Sequence, residues 1–255
     1  MSITIIVNPY ANRWKCGKQI DTIDKWMKTS SLEYRILTTN KKGHAKQLAF
    51  DAAKSGERTI IAAGGDGTLN EVVNGLLKHN LEHQFTDSTI GIIPLGTAND
   101  LATQLHIPSN VKDAIGIIAS GFTRSIDIGK VNGHYFINNS AIGLETEVTL
   151  ANERMTKVQG PLRYLLAAIL TILKRPSWQT NLVWNNSEYS GSLTLVSVGN
   201  SNRTGGMFYM TPNAIVDDGK LDFIYAPELT RREMFRLLPQ TLNGSHISNS
   251  AIHEH

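Results

Sequence analysis

The sequence predicts two domains. The first is an α/β N-terminal domain with a mostly parallel sheet and a glycine-rich loop of the phosphate-cradling kind. The second is a β-rich C-terminal domain, antiparallel and sandwich-like, with helical insertions. Three observations carry this. Short apolar runs alternate with helical patterns through the first half, the rhythm of a parallel sheet covered by helices. The run Thr59–Ala63 leads straight into Gly64-Gly65-Asp66-Gly67-Thr68. Past Gly121 the rhythm turns β-rich around Asn132-Gly133, a residue pair that suits the positive φ of a two-residue hairpin. The boundary is placed near residue 124, giving domains 1–124 and 125–255 of the 255-residue chain.

Each element has its own signal. Ile3–Val7 is a strand closed by Asn8-Pro9, and Ile20, Ile23, Trp26 and Met27 then recur at helical spacing. Tyr34–Thr38 reads as the second strand. His44–Lys54 reads as a helix with Ala45, Leu48, Ala49 and Ala52 on one face, stopped by Gly56. Thr59–Ala63 is the third strand, Thr68–His79 a helix and Ile90–Ile93 a fourth strand closed by Pro94. In the second half, Ser125–Val131 and Tyr135–Asn139 flank the hairpin turn. Helices are expected over Glu145–Lys157 and Leu162–Lys174, and strands over Leu182–Trp184, Leu193–Val198 and Leu221–Tyr225.

Composition bounds the function classes. With 41% apolar and 18% charged residues the chain can bury a core, which excludes a largely disordered protein. Lys plus Arg is 25 against 22 for Asp plus Glu, a net charge of +3, too mild to imply a nucleic-acid partner. The single cysteine, Cys16, excludes an intrachain disulfide and the Cys-rich zinc frameworks, and fits a reducing compartment. The N-terminus lacks a positive n-region and a cleavage site, so no signal peptide is expected. No stretch reaches the ~20 apolar residues of a membrane span. The expectation is a soluble chain able to touch a membrane surface.

Two blocks carry chemistry. In Gly64–Glu71, glycines let a backbone approach a phosphate and the following helix offers unpaired N–H groups and its positive dipole end. Thr68 suits an N-cap or a phosphate contact. Asp66 would repel a bare phosphate and makes sense where a divalent cation or a lysine mediates. A plain strand–helix turn capped by Thr68 is the simpler reading, which Asp, Thr, Asn and Glu together in one block disfavour. The second block, Pro94-Leu95-Gly96-Thr97-Ala98-Asn99-Asp100, also ends a strand and begins a helix. In an open α/β sheet, ligands sit outside the carboxyl ends of strands, so the two turns can face one crevice.

Together these blocks resemble the diacylglycerol kinase catalytic family, which includes bacterial lipid kinases and sphingosine and ceramide kinases, along nearly the whole chain. Asn8-Pro9 resembles the family's opening strand-end motif, with Asn12 where a small glycine would follow. Thr39, ahead of Lys41-Lys42-Gly43-His44-Ala45, is similar to a position that contacts nucleotide in bacterial relatives. Gly65, Asp66, Gly67, Thr68, Leu69, Asn70, Glu71 and Thr97 match the remaining nucleotide contacts, with Asn8 beside them. Ser125–Gly129 and Phe136–Asn138 resemble a core motif that follows. Gly199-Asn200, Gly205-Gly206, Pro212-Asn213-Ala214 and Asp217–Asp222 resemble the second domain.

The resemblance implies an ATP-dependent lipid kinase that transfers the γ-phosphate to a lipid hydroxyl such as that of diacylglycerol. It implies ATP and Mg²⁺, with Asp66, Asp100 and Asp127 organising the catalytic magnesium, partly through water. It implies a structural magnesium held by the Asp218 carboxylate and the carbonyls of Ile215 and Lys220. The implied partners are ATP, a lipid and the inner membrane surface, for a cytoplasmic, peripheral protein; a homodimer is left open. From the residues alone, Asp217-Asp218-Gly219 reads equally as a cation loop or an Asp-Gly turn, and Asp127 as a structural hydrogen bond at a strand start. His44 and His106 read as surface residues or caps. Pro161–Pro176, apolar nearly all round with Arg163, Lys174 and Arg175 at its ends, reads as a core helix or as the wall of a lipid cleft with a basic rim. NAD kinases share the Gly-Gly-Asp-Gly-Thr core and phosphofructokinases a similar turn; the Pro94–Asp100 block favours the lipid kinases. A nucleotide- or lipid-binding relative without turnover is the non-enzyme alternative.

One departure stands out. The family's general base is an Asp in an Asp-Gly-Glu motif beyond the helix matching Thr230–Leu242, and no such motif occurs downstream of residue 222. The expectation is therefore a truncated or degenerate chain whose nucleotide site is complete, with the general base expected beyond His255.

Overall fold

The computed structural model describes residues 3–83, 88–155, 161–185 and 187–255. The chain forms two compact units, Met1–Ile137 and Asn138–His255.

The first unit is built on four parallel strands: β1 (Ile3–Val7), β2 (Tyr34–Thr38), β3 (Thr59–Gly64) and β4 (Thr89–Pro94), in the order β2-β1-β3-β4. β1 is buried along its whole length, as an inner parallel strand covered on both faces must be. The helices are α1 (Ile20–Thr29), α2 (His44–Lys54), α3 (Asp66–His83), α4 (Asp100–Gln104) and α5 (Val111–Ser120). Ile5, Ile23, Met27, Ile61, Ile93 and Ile115 form the core between sheet and helices. α2 and α3 touch at backbone level: a Cβ on Gly75 would lie 2.1 Å from the Lys46 carbonyl oxygen. Only glycine permits that approach.

The hairpin β5 (Gly129–Val131) and β6 (His134–Phe136) turns at Asn132 (φ 48°) and Gly133 (φ 79°), as the Asn-Gly pair predicts. It belongs to the first unit. Asn74 of α3 pins it, donating to the Tyr135 carbonyl at 2.8 Å and accepting the Tyr135 N–H at 2.9 Å. The units therefore divide between Ile137 and Asn138 rather than near residue 124.

The second unit holds a five-stranded antiparallel sheet: β7 (Asn139–Gly143), β8 (Trp178–Trp184), β9 (Ser187–Gly199), β10 (Asp222–Pro227) and β11 (His253–Glu254). β9 is its centre and pairs with β7, β8 and β10. The helices are α6 (Leu144–Arg154), α7 (Pro161–Lys174) and α8 (Arg231–Leu237), the last opened by a Thr230–Glu233 capping box.

Several boundaries differ from the sequence expectation. Ser125–Ile128 is irregular and only Gly129–Val131 is strand. Tyr135–Asn139 is not one strand: β6 ends at Phe136, and Asn139 begins β7 in the other sheet. α3 starts at Asp66, ahead of Thr68. α6 stops at Arg154, and the last two expected residues, 156 and 157, lie outside the described residues. Among the described residues no helix is long and apolar enough to cross a membrane.

Candidate active site

Four of the sequence-predicted nucleotide contacts lie at or just past the carboxyl ends of the strands of the first unit, and Asp66–Glu71 open α3. Asn8 follows β1, Thr39 follows β2, Gly65 follows β3 and Thr97 lies past β4. β1 and β3 are adjacent although β2 intervenes in sequence, so their ends mark the switch point where open α/β sheets bind ligands. Asn8 ties three of them together. Its backbone N–H donates to Ala63 at 3.0 Å, its Nδ2 donates to Thr68 Oγ1 at 2.9 Å, and its Oδ1 accepts from the Thr39 hydroxyl at 3.4 Å. Thr68 is thus not the N-cap of α3. It is buried in the helix's first turn, with its hydroxyl held by Asn8.

The glycine turn divides its labour. A Cβ on Gly65 would lie 3.0 Å from Gly96 Cα, and one on Gly96 would lie 2.3 Å from Gly65 Cα, so the turns after β3 and β4 pack backbone to backbone. A Cβ on Gly67 would meet nothing within 4 Å. The open side of the turn is therefore at Gly67, whereas Gly65 maintains the contact between turns. Asn99 closes the second turn: its Oδ1 accepts the Gly96 N–H at 2.9 Å and its Nδ2 donates to the Gly96 carbonyl at 3.2 Å, with Asn99 itself at φ 53°. Gly64, Gly65, Asp66, Pro94 and Asn99 line a small cleft.

The other predicted residues take distinct places. Leu69 is a core residue whose N–H donates to Gly65 within the helix. Asn70 is half-buried, its carbonyl accepting from the Asn74 side chain at 2.9 Å. Glu71 faces α2, where its two oxygens accept the N–H groups of Gly43 and Ala45. Thr97 is exposed, Asp66 half-buried, and Asp100 buried at the start of α4. Asp127 lies half-buried in the irregular segment before β5. Among the described residues no three His, Cys, Asp or Glu side chains gather to hold a metal. Asp66, Asp100 and Asp127 are thus not a ready-made cation cage, and of the three only Asp66 lines the cleft. One carboxylate beside a helix N-terminus suits a cation that also takes phosphate oxygens.

In the second unit, Ile215, Asp218 and Lys220 share one exposed loop. Asp218 Oδ1 accepts the Lys220 N–H at 3.0 Å across Gly219 at φ 78°, the geometry of an Asp-Gly turn. The surrounding charge fits a cation as well. Burial pushes the Asp222 carboxyl above its ordinary range, and the charges of Asp218 and Glu254 push it the same way, with Lys220 opposing.

The second unit also contains an apolar cavity of about 80 Å³ between its sheet and helices. Tyr164, Ala168 and Ile172 of α7 form one wall, and Leu195, Phe208 and Met234 form others. The opposite side of α7 is apolar too, with Leu166, Leu170 and Leu173 exposed.

Residues 2–131 match the diacylglycerol kinase catalytic domain family, and residues 139–255 match the YegS C-terminal NAD kinase beta sandwich-like domain family. The chain belongs to the diacylglycerol kinase catalytic family. It is 32% identical over 250 residues to a diacylglycerol kinase of Bacillus subtilis (strain 168), covering 97% of this chain and 81% of that protein. It is 30% identical over 249 residues to one of Staphylococcus haemolyticus (strain JCSC1435), covering 97% and 74%. A crystal structure from Bacillus anthracis str. Sterne, of a protein assigned to the same kinase class, aligns with TM-score 0.80 and 27% identity over 100% of this chain and 83% of its own. Membership in this kinase family supports a lipid kinase.

Proposed function

We propose that this chain is an ATP- and magnesium-dependent lipid kinase that moves the γ-phosphate of ATP to the hydroxyl of a diacylglycerol. One observation supports the reading: Asn8, Thr39, Gly65 and Thr97, which match the family's nucleotide contacts, fall at the carboxyl ends of one parallel sheet, with an open face at Gly67. The N-terminal turn of α3 offers N–H groups to phosphate oxygens. The acceptor oxygen attacks the γ-phosphorus in line, its hydroxyl proton passes to water, the bond to the β–γ bridging oxygen breaks, and ADP leaves. Magnesium, when bound, supplies charge neutralisation at the phosphates. Asp66 would hold it in the first unit, and the loop of Ile215, Asp218 and Lys220 would hold a structural ion in the second.

The lining of the second unit's cavity is apolar almost throughout, which suits an acyl chain. The exposed Leu166, Leu170 and Leu173 stripe, ending in Lys174 and Arg175, suits a peripheral contact with an anionic bilayer.

The test is transfer of label from γ-labelled ATP to diacylglycerol in mixed micelles, run in parallel with sphingosine and NAD. Label in phosphatidic acid, dependent on Mg²⁺, is expected. Label in NADP, or in no product while ATP binds, would replace this reading.

A further inference from the structure

The cavity of the second unit has a feature that an apolar tail does not require. Glu145, in the first turn of α6, lines it at 9% exposure, and His246 lines it at 1%. Glu145 Oε2 and His246 Nδ1 are both buried without a hydrogen-bond partner. His246 Nε2 lies 3.2 Å from the Met210 carbonyl oxygen, which can only accept, so Nε2 carries the proton and Nδ1 is left as a bare lone pair. The remaining polar lining consists of the hydroxyls of Tyr164, Thr204 and Thr241, of which Tyr164 is engaged with Thr149 Oγ1 at 2.5 Å.

Burial drives both titratable groups towards their uncharged forms. The Glu145 carboxyl is pushed up, with the hydroxyls of Ser197 and Thr204 only partly offsetting the shift. The His246 imidazole is pulled down against its contacts to the Met210 and Gln240 backbone. A cavity with two neutral polar groups presents no formal charge to a ligand. An unpartnered buried polar atom costs as much as a lost hydrogen bond, so a ligand that partners it gains that amount.

We propose that Glu145 is a specificity-determining residue that donates its carboxyl O–H to an ester carbonyl of a neutral glycerolipid whose acyl chain fills the cavity. This rests on the lipid-kinase reading for the class of ligand, and on the cavity alone for the residue. A cationic sphingoid head would have to give up its hydration and ionise a carboxyl that burial keeps protonated, so such lipids are disfavoured.

The experiment separates the ester from its surroundings. Dioctanoylglycerol and its diether analogue, which lacks both carbonyls, are titrated calorimetrically below their aggregation concentrations into the wild type, Glu145→Gln and Glu145→Leu. The wild type is expected to prefer the diester roughly tenfold, the scale of one buried hydrogen bond. Glu145→Gln, which keeps an N–H donor, retains a preference, and Glu145→Leu binds both ligands alike. Equal wild-type affinities, a preference that survives in Glu145→Leu, no binding of either lipid, or tighter binding of sphingosine would each overturn the proposal. Should Glu145→Leu fail to fold by circular dichroism, the wild-type ratio and its response to Glu145→Gln decide. Diester preference without phosphoryl transfer from ATP would overturn the kinase reading and leave this assignment standing.

Discussion

Glu71 holds Gly43 across the gap between two helices: its Oε1 accepts the Gly43 N–H at 2.9 Å while its Oε2 accepts that of Ala45 at 3.2 Å. A residue that matches a nucleotide contact in sequence thus serves as the anionic cap of α2. Glu71→Ala is expected to lower unfolding stability by about 1–2 kcal/mol, the worth of two charge-assisted but solvent-accessible bonds. Urea denaturation measures this. A loss confined to nucleotide affinity, with stability intact, would return Glu71 to the nucleotide.

The glycines are expected to separate into two kinds. Gly96→Ala drives a methyl into Gly65 Cα and should destabilise the first unit by about 1–3 kcal/mol, the usual range for overpacking. Gly67→Ala meets open space, so it should melt like the wild type yet bind ATP more weakly, because in the proposed site the methyl would occupy the face left to a phosphate. Thermal melts and ATP calorimetry on both variants check this. Normal ATP binding by a folded Gly67→Ala would mean the turn faces no phosphate.

Asp66 lines the cleft as a carboxylate beside a helix N-terminus. If it acts through a cation, Asp66→Asn should weaken Mg·ATP binding more than metal-free ATP binding. Parallel titrations with Mg²⁺ and with a chelator decide, and equal losses in both would remove the metal role.

Asp218 offers a matching test in the second unit. A cation bound there raises the melting temperature by mass action. The wild type should gain stability on adding Mg²⁺, and Asp218→Ala should lose that gain. A variant that keeps the full rise places the site elsewhere.

Glu145 and His246 give opposite pH slopes. The Glu145 carboxyl is raised above 4.5, so between that value and its native one the folded chain holds more protons, and stability falls as pH rises. His246 is lowered below 6.5, so the unfolded chain takes the proton first, and stability falls as pH drops below that value. Glu145→Gln should remove the loss on the rising side and His246→Gln the loss on the acid side. Melting curves over about pH 4–8 would show it, and unchanged slopes in both variants would exclude these groups as the source.

The sheet of the first unit was legible because parallel strands covered on both faces are unbroken apolar runs, as in Ile3–Val7 and Thr59–Ala63. The strand-end positions of Asn8, Gly65 and Thr97 were legible from the same runs. The direction of a Cβ was not, which is why Gly65 and Gly67 read alike. Tyr135–Asn139 misread as one strand because alternation says nothing about which sheet a residue joins. Asn74 and Glu71, which pin one element to another, look like ordinary polar positions on a helix. Glu145 was hidden for a similar reason: an acid in the first turn of a helix is expected there to complement the dipole, whatever it faces.

The central place of β9 also sets an order of events during synthesis. Among the described residues β7 pairs in its sheet with β9 alone, at residues 195–199, and until those emerge from the ribosome that pairing cannot form. α7, with exposed leucines even in the finished fold, is made in that interval. The last strand of the four-stranded sheet of the first unit ends at Pro94, before any residue of the second unit is made. The nascent second unit thus passes through a window in which sticky segments precede the strand that organises them, the circumstance in which chaperones are recruited to growing chains.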